Sequence, residues 1–206
     1  MKCPDCGKEF SALGRHLAFA DCSPTVTSYQ HDVLRGVLMS DGWVGTSGRC
    51  LQAEWANKKY AKYVSDELEW LCDGVQKRSN RDIWQLSTVS CDYIENNFSW
   101  YSSGQKRWPL NKKLTDDTLK HLYAGDGHLK QREGRSDAMI ISCENERDRL
   151  KTIAVWVESS GYPKPTPHIS NAGSSVLYFN TEDTREILNR IAPVDGYEYK
   201  WGKHGN

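Results

Sequence analysis

The chain is short of two things that commonly give a function away. It has no long apolar run: nothing in its 206 residues approaches the roughly 20 consecutive apolar residues of a membrane span. Its opening "MKCPDC" lacks the apolar core of a secretory signal. An intracellular protein with no membrane partner is therefore expected. Nor is there an excess of charge of either sign, because 27 Lys and Arg balance 27 Asp and Glu. Neutrality removes any whole-chain electrostatic argument for nucleic-acid binding, so a basic surface must be local. The length suits one good-sized domain or two small ones, and hydrophobic residues at 38% with charged residues at 26% are ordinary for a folded chain. Eight tryptophans and ten tyrosines are more than expected, yet aromatics serve cores as readily as interfaces.

Seven cysteines divide into two groups. Cys50, Cys72, Cys91 and Cys143 are scattered, and in a reducing compartment such residues behave as small buried hydrophobes. Cys3, Cys6 and Cys22 crowd into the amino terminus with His16, in "CPDCGKEFSALGRHLAFADC". A Cys-Pro-x-Cys-Gly turn aims two thiolates at one point. A helix from about Ser11 carries His16 toward them, and Cys22 completes a tetrahedral Zn²⁺ site, with Phe10 and Leu13 as the apolar backing. The competing reading, a redox Cys-x-x-Cys pair, lacks a βαβ context. The segment resembles the familiar zinc finger in its Cys-x-x-Cys, Phe, Leu-x-x-His order, with a shorter interval before the histidine. It is closer to the short treble-type fingers of phage and bacterial DNA-binding proteins. Contact with DNA and simple folding of the amino terminus both remain open for it.

The expected organisation is a finger over residues 1–24, a linker "SPTVTS", and two halves over 29–113 and 114–206. The first half reads as a helix from about Tyr29 to Ser40 and strand-like segments over Val44–Trp55. An amphipathic helix "NKKYAKYVSDELEWLCDG", a strand "IWQLSTV" and a helix around "CDYIENNFSWYSS" follow. The second half reads as a helix Thr115–Gly125, then strands His128–Arg132 and Ala138–Cys143. A helix "NERDRLKTIAVWVESSG", strands near "PHISN" and "SVLYFN", and a helix Glu182–Ile191 complete it. The order αββαββα, twice over, implies an α/β (α+β) pseudo-twofold molecule.

Each half opens with the same oddity. "LRGVLMSDG" (Leu34–Gly42) and "LKHLYAGDG" (Leu119–Gly127) put a carboxylate in the last turn of a helix. There the dipole disfavours an anion by about 0.3–1 kcal/mol. Either stretch alone could be a helix capped by an Asp-Gly turn; the pair, each opening a similar half, resembles the two nine-residue motifs of the LAGLIDADG homing endonucleases. The resemblance runs from about Tyr29 to Trp201. It implies two motif helices side by side at the centre with small residues between them, which Gly36, Ser40, Ala124 and Gly125 supply. His121 departs from the usual small third residue, with Gly36 opposite it. The resemblance also implies saddle-shaped antiparallel sheets over a DNA major groove. Asp41 and Asp126 would then meet as the catalytic, Mg²⁺-binding acids: adjacent carboxylates repel each other until divalent cations neutralise them. In "WYSSGQKRWPLNKKLTDDTLKHLYAGDG" Lys106 stands where the two-repeat branch carries a basic residue, and in "GYEYKWGK" Lys200 stands at the family's terminal Tyr-Lys. Each half would thus bring one catalytic lysine to the centre.

Strand alternation nominates DNA contacts. His128, Lys130 and Arg132 share one face of a strand, and Gln52, Gln85 and Ser87 are polar positions between apolar ones. Lys77, Arg78 and Arg81 form one basic turn and Lys112–Lys113 another. A neutral chain needs segregated charge, so a basic saddle and an acidic back are expected. The function implied is a monomeric, site-specific double-strand DNA endonuclease with a long target, leaving short 3′ overhangs and copying a mobile intron or intervening gene. The alternatives on the same fold are a non-cleaving maturase acting on intron RNA and a sequence-specific DNA-binding regulator.

Overall fold

The computed structural model describes residues 1–202 apart from 21, 80, 105, 132–136 and 171–172. A short helix α1 (Leu13–Phe19) follows a β-bridge between Lys2 and Glu9. The first half runs α2 (Ser28–Met39), β1 (Gly42–Val44), β2 (Leu51–Trp55), α3 (Lys58–Leu68), β3 (Cys72–Lys77), β4 (Trp84–Thr88) and α4 (Asp92–Asn97). The second repeats it as α5 (Asp116–Asp126), β5 (Gly127–Lys130), β6 (Ala138–Ser142), α6 (Leu150–Ser159), β7 (Thr166–Ile169), β8 (Ser175–Phe179) and α7 (Thr181–Arg190). Each half makes one antiparallel four-stranded sheet, in the orders β1-β2-β4-β3 and β5-β6-β8-β7. The αββαββα repeat is therefore present.

Local chemistry explains the helix starts. Thr27 accepts from the Gln30 N–H while the Gln30 side chain accepts from the Thr27 N–H, a capping box that opens α2. Asn57, Thr115 and Asn180 cap α3, α5 and α7 through their side chains. Three expected helices are shorter; the one around "CDYIENNFSWYSS" ends at Asn97 and gives way to a 3₁₀ turn (Ser99–Gly104). The helix from Asn57 to Gly74 stops at Leu68, where Glu69 takes a left-handed φ of 51°; a 3₁₀ turn (Glu69–Leu71) then leads into β3. The residues "CDG" thus belong to a strand, and burial of Leu71 and Cys72 under the sheet outweighs the helical periodicity. Likewise residues Glu144–Arg149 form a 3₁₀ turn before α6. The expected strand through Arg132 ends at Lys130, and Arg132 lies outside the described residues.

The two motif helices α2 and α5 pack along their length. Gly36 lies against α5 so closely that a Cβ there would sit 2.5 Å from the Thr118 carbonyl oxygen and 2.7 Å from the His121 Cβ. At the other end a Cβ on Gly125 would sit 2.5 Å from the Ser40 Cβ. The helices therefore run parallel, with both carboxyl ends at one place. His121, fully buried, occupies the interface that Gly36 leaves open; its Nδ1 meets the Tyr60 hydroxyl at 3.2 Å. Burial holds this imidazole below its usual pKa, against the opposing pull of the Glu67 carboxylate.

Arg35, 2% exposed, ties α2 to the connection that leads into α5. Its guanidinium donates to the carbonyls of Lys113 (2.6 Å), Lys112 (3.1 Å) and Pro109 (3.3 Å). The carboxyl-terminal tail crosses back to the first half. There Asn57 donates to the Gly196 carbonyl and the Tyr197 ring lies 4.6 Å from that of Tyr60.

Candidate functional site

Asp41 follows α2 and Asp126 ends α5, so the parallel packing brings the two acids to one point; a Cβ on Gly125 would lie 2.8 Å from the Asp41 Oδ2. Two lysines reach the same place by different routes. Lys106 is on the connection between the halves, held by its neighbours. Arg107 pairs with Asp148, the Trp108 N–H donates to the buried Glu146 (2.6 Å), and the Trp108 indole donates to the Met39 carbonyl (3.1 Å). Lys200 sits in a 3₁₀ turn (Glu198–Lys200), anchored by Trp201, which is fully buried. The Tyr123 hydroxyl donates to its carbonyl at 2.6 Å. Its ammonium donates to the carbonyls of Ala124 (2.5 Å) and Gly125 (3.2 Å) at the end of α5. A cation thus occupies the negative pole where the motif sets an aspartate, which offsets the dipole cost of that anion.

The charges disturb one another. Burial, then the negative charge of Asp41, pushes the Asp126 carboxyl up to about 6, against the opposing pull of Lys106 and Lys200. Burial also raises Asp41, opposed by the Trp55 indole and then by the two lysines. Burial depresses both ammonium groups, with the aspartates opposing it. The site holds two carboxylates that resist simultaneous ionisation, the usual electrostatic state of an unmetallated acid pair.

The two acids are not equivalent. Trp55 Nε1 donates to Asp41 Oδ2 at 2.9 Å. Strand pairing sets Gly42 opposite Ala53 and Gly127 opposite Ile141, so Trp55 in the first half corresponds to Cys143 in the second. Beside Asp126 a cleft of about 190 Å³ opens, lined by Lys106, Trp108, Ser142, Cys143 and Asn145 among others. Nothing in the spacing of the sequence marks Trp55 for this contact; it needs the sheet register.

The sheets sort the remaining candidates. Gln52, Gln85 and Ser87 share the outer face of the first sheet, Gln52 opposite Ser87. His128 and Lys130 share the outer face of the second, with His128 held below its usual pKa by burial and then by Lys200 and Lys130. Arg78 pairs with Glu54 (2.7 Å) and Lys77 with Asp82 (2.9 Å), around the β3–β4 turn that also contains Arg81. Lys112 and Lys113 are not brought to this surface. They precede α5, roughly 15 Å of helix from Asp126, with their carbonyls on Arg35.

The model of the LAGLIDADG DNA endonuclease family matches residues 31–187. The chain belongs to that family. No curated protein sequence matches it. Among solved structures, the homing endonuclease I-WcaI bound to its DNA recognition sequence is similar over 93% of this chain and 98% of its own, at 13% identity and a TM-score of 0.74. Full-length DUF199/WhiA from Thermatoga maritima matches over 93% of this chain and 64% of its own (10% identity, TM-score 0.55). I-DmoI in complex with DNA and Mn matches over 80% and 96% (15% identity, TM-score 0.50). At such identities the likeness is one of fold. The expected LAGLIDADG fold is thereby established, with the motif acids at the meeting point of its helices.

This LAGLIDADG protein carries its amino-terminal cluster ahead of the residues 31–187 that the family model matches. The ligand atoms of Cys3, Cys6, His16 and Cys22 all lie within 4.8 Å of one another, with Cys6 Sγ and His16 Nε2 3.5 Å apart. The His16 ring stacks on Phe10 at 3.8 Å. Although burial acts in the opposite sense, the backbone N–H groups of Cys6 and Asp5 hold the Cys3 thiol below its usual value. Burial and the neighbouring thiols push Cys22 up to about 12. The cluster does not stand free. Leu13 is fully buried, a Cβ on Gly14 would lie 3.2 Å from the Ser90 nitrogen, and Leu17 and Cys22 share a cleft with Arg49, Trp70 and Cys91 of the first half.

Proposed function

We propose that the protein is a monomeric homing-type endonuclease that recognises a long DNA target across both sheets and cuts each strand once, leaving short 3′ overhangs. The observation that carries this reading is the convergence of Asp41, Asp126, Lys106 and Lys200 at the carboxyl ends of two parallel helices. The donor set fits Mg²⁺: two hard carboxylates hindered from ionising together, beside an open cleft. When bound, Mg²⁺ supplies charge stabilisation at the scissile phosphate and lowers the pKa of an attacking water. Asp41 and Asp126 would hold it. Lys106 and Lys200, already beside the acids, would stabilise charge developing on the phosphorane oxygens. Gln52, Gln85, Ser87, His128 and Lys130 would face the duplex, and I-WcaI, bound to its recognition sequence, offers the same fold for that arrangement.

The amino-terminal cluster is read as a structural Zn²⁺ site, since three thiols and an imidazole at this spacing match a closed tetrahedral set. Its packing on the first half supports a role in folding that region.

The test is incubation with Mg²⁺ and a plasmid carrying the joined-exon DNA of the protein's own locus, beside an Asp41→Asn, Asp126→Asn double variant. Linearisation by the native protein alone, abolished by a chelator, supports the reading. Equal binding with no cutting by either would overturn it and direct the next assay to RNA splicing.

A further inference from the structure

The two outer sheet faces, superimposed by their strand registers, differ in chemistry at matching positions. Around the first sheet's centre stand Gln52 opposite Ser87, and Glu54 opposite Gln85. The equivalent positions in the second sheet are Ile140 opposite Tyr178, and Ser142 opposite Val176. Hydrogen-bonding side chains fill all four places in one half; two aliphatics and a tyrosine fill three of the four in the other. Ile140 is 8% exposed and forms the floor, while Val176 is partly open and Tyr178 is 36% exposed, an unusual place for apolar surface unless something covers it. His128 lies directly opposite Ile140, and Lys130 follows on the same face. The apolar strip is thus flanked by groups that suit a polyanion.

We infer that the second half reads its half-site through thymine C5-methyl groups, packed on Ile140, Val176 and Tyr178, whereas the first half reads by hydrogen bonds. This rests on the DNA-binding reading above and names the base chemistry that its second half prefers. In the major groove the thymine methyl is the apolar feature of an otherwise polar edge, and aliphatic side chains are its natural partners. Gln52 and Gln85 instead offer the amide that can pair bidentately with adenine N6 and N7. Two of the polar groups in the first half are pre-oriented: the Trp43 indole donates to Gln52 at 3.1 Å and Arg78 to Glu54 at 2.7 Å. The corresponding places in the second half rely on shape.

The experiment starts from duplexes selected by the full-length protein out of a random pool, in Ca²⁺ to hold the complex. Thymines of each half-site are then replaced by deoxyuridine, which deletes the methyl and leaves the base pair. In the second half-site each contacted methyl removed should weaken binding roughly fourfold, while the same change in the first half-site leaves Kd unaltered. Val176→Thr, which keeps the volume and adds a hydroxyl, should shrink the deoxyuridine penalty without unfolding the protein. Equal penalties in both half-sites, no penalty in the second, or selection of a G·C-rich second half-site would each overturn the inference while leaving the endonuclease reading intact. Failure to select any duplex would overturn both.

Discussion

Gly36→Ala is the sharpest probe of how the molecule is assembled, because it adds one methyl group at the crossing of the two motif helices. That methyl would lie 2.5 Å from the Thr118 carbonyl oxygen and 2.7 Å from the His121 Cβ, closer than any real Cβ contact. Neither atom is the tip of a flexible side chain, so the helices themselves must part by the better part of an ångström. Overpacking of this kind costs up to about 3 kcal/mol. The substitution also recovers about 1 kcal/mol, because alanine is the better helix former. The net expectation is destabilisation by about 2 kcal/mol, a fall in Tm of roughly 4–8 °C for a chain of this size. Activity should fall further than stability, since the same crossing positions Asp41 against Asp126 and a misplacement of about 1 Å can cost on the order of a hundredfold in rate. Thermal melting by circular dichroism, with plasmid cleavage measured well below the Tm, reads both effects. An unchanged or raised Tm with full activity would mean that α2 and α5 do not meet at Gly36, and the reasoning from the motif pair would fail.

Other consequences are equally open to measurement. Trp55→Phe deletes the indole N–H that reaches Asp41; with charge-assisted bonds worth about 1.5–3 kcal/mol, one strand should be cut at least roughly tenfold more slowly, and nicked circles should accumulate on a gel. Equal slowing of both strands would contradict the asymmetry of the two acids. In metal-free protein Asp126 titrates at about 6 against 3.8 unfolded, so the folded state binds the extra proton and stability should rise as pH falls from above 6 toward 4. The gain is at most about 3 kcal/mol, and Asp126→Asn should abolish that part of the pH dependence in denaturant titrations. Cys6→Ser, or a strong Zn²⁺ chelator, should leave residues 1–22 exchanging amide hydrogens freely while α2 and α5 stay protected; unaltered protection in the amino terminus would remove the case for a metal there.

Much of this architecture is legible in the order of residues alone, for a physical reason. The helix–Asp–Gly stretches, the Cys and His spacing and the alternation in β2, β4 and β5 are local patterns, governed by the 3.6- and 2-residue periods and by residues close in the chain. They locate both acids, the Cys and His cluster and the polar outer face of the first sheet. Periodicity overruns the helix after Asn57 because Tyr60, Val64, Leu68 and Leu71 keep a helical spacing through the turn. There Leu71 serves the core without belonging to α3.

What the sequence by itself determined, then, is the repeated architecture and the identity of the groups that carry charge to its centre. The tertiary structure alone decided who stands opposite whom. It gave Asp41 an indole and Asp126 a cleft, used a buried Arg35 to hold the connection before α5 and a returning tail to join the halves, and carried Lys112 and Lys113 to the far end of the helices. These contacts join residues 14 to 139 positions apart. Sheet register and helix crossing set them, and no periodicity within a single element encodes either.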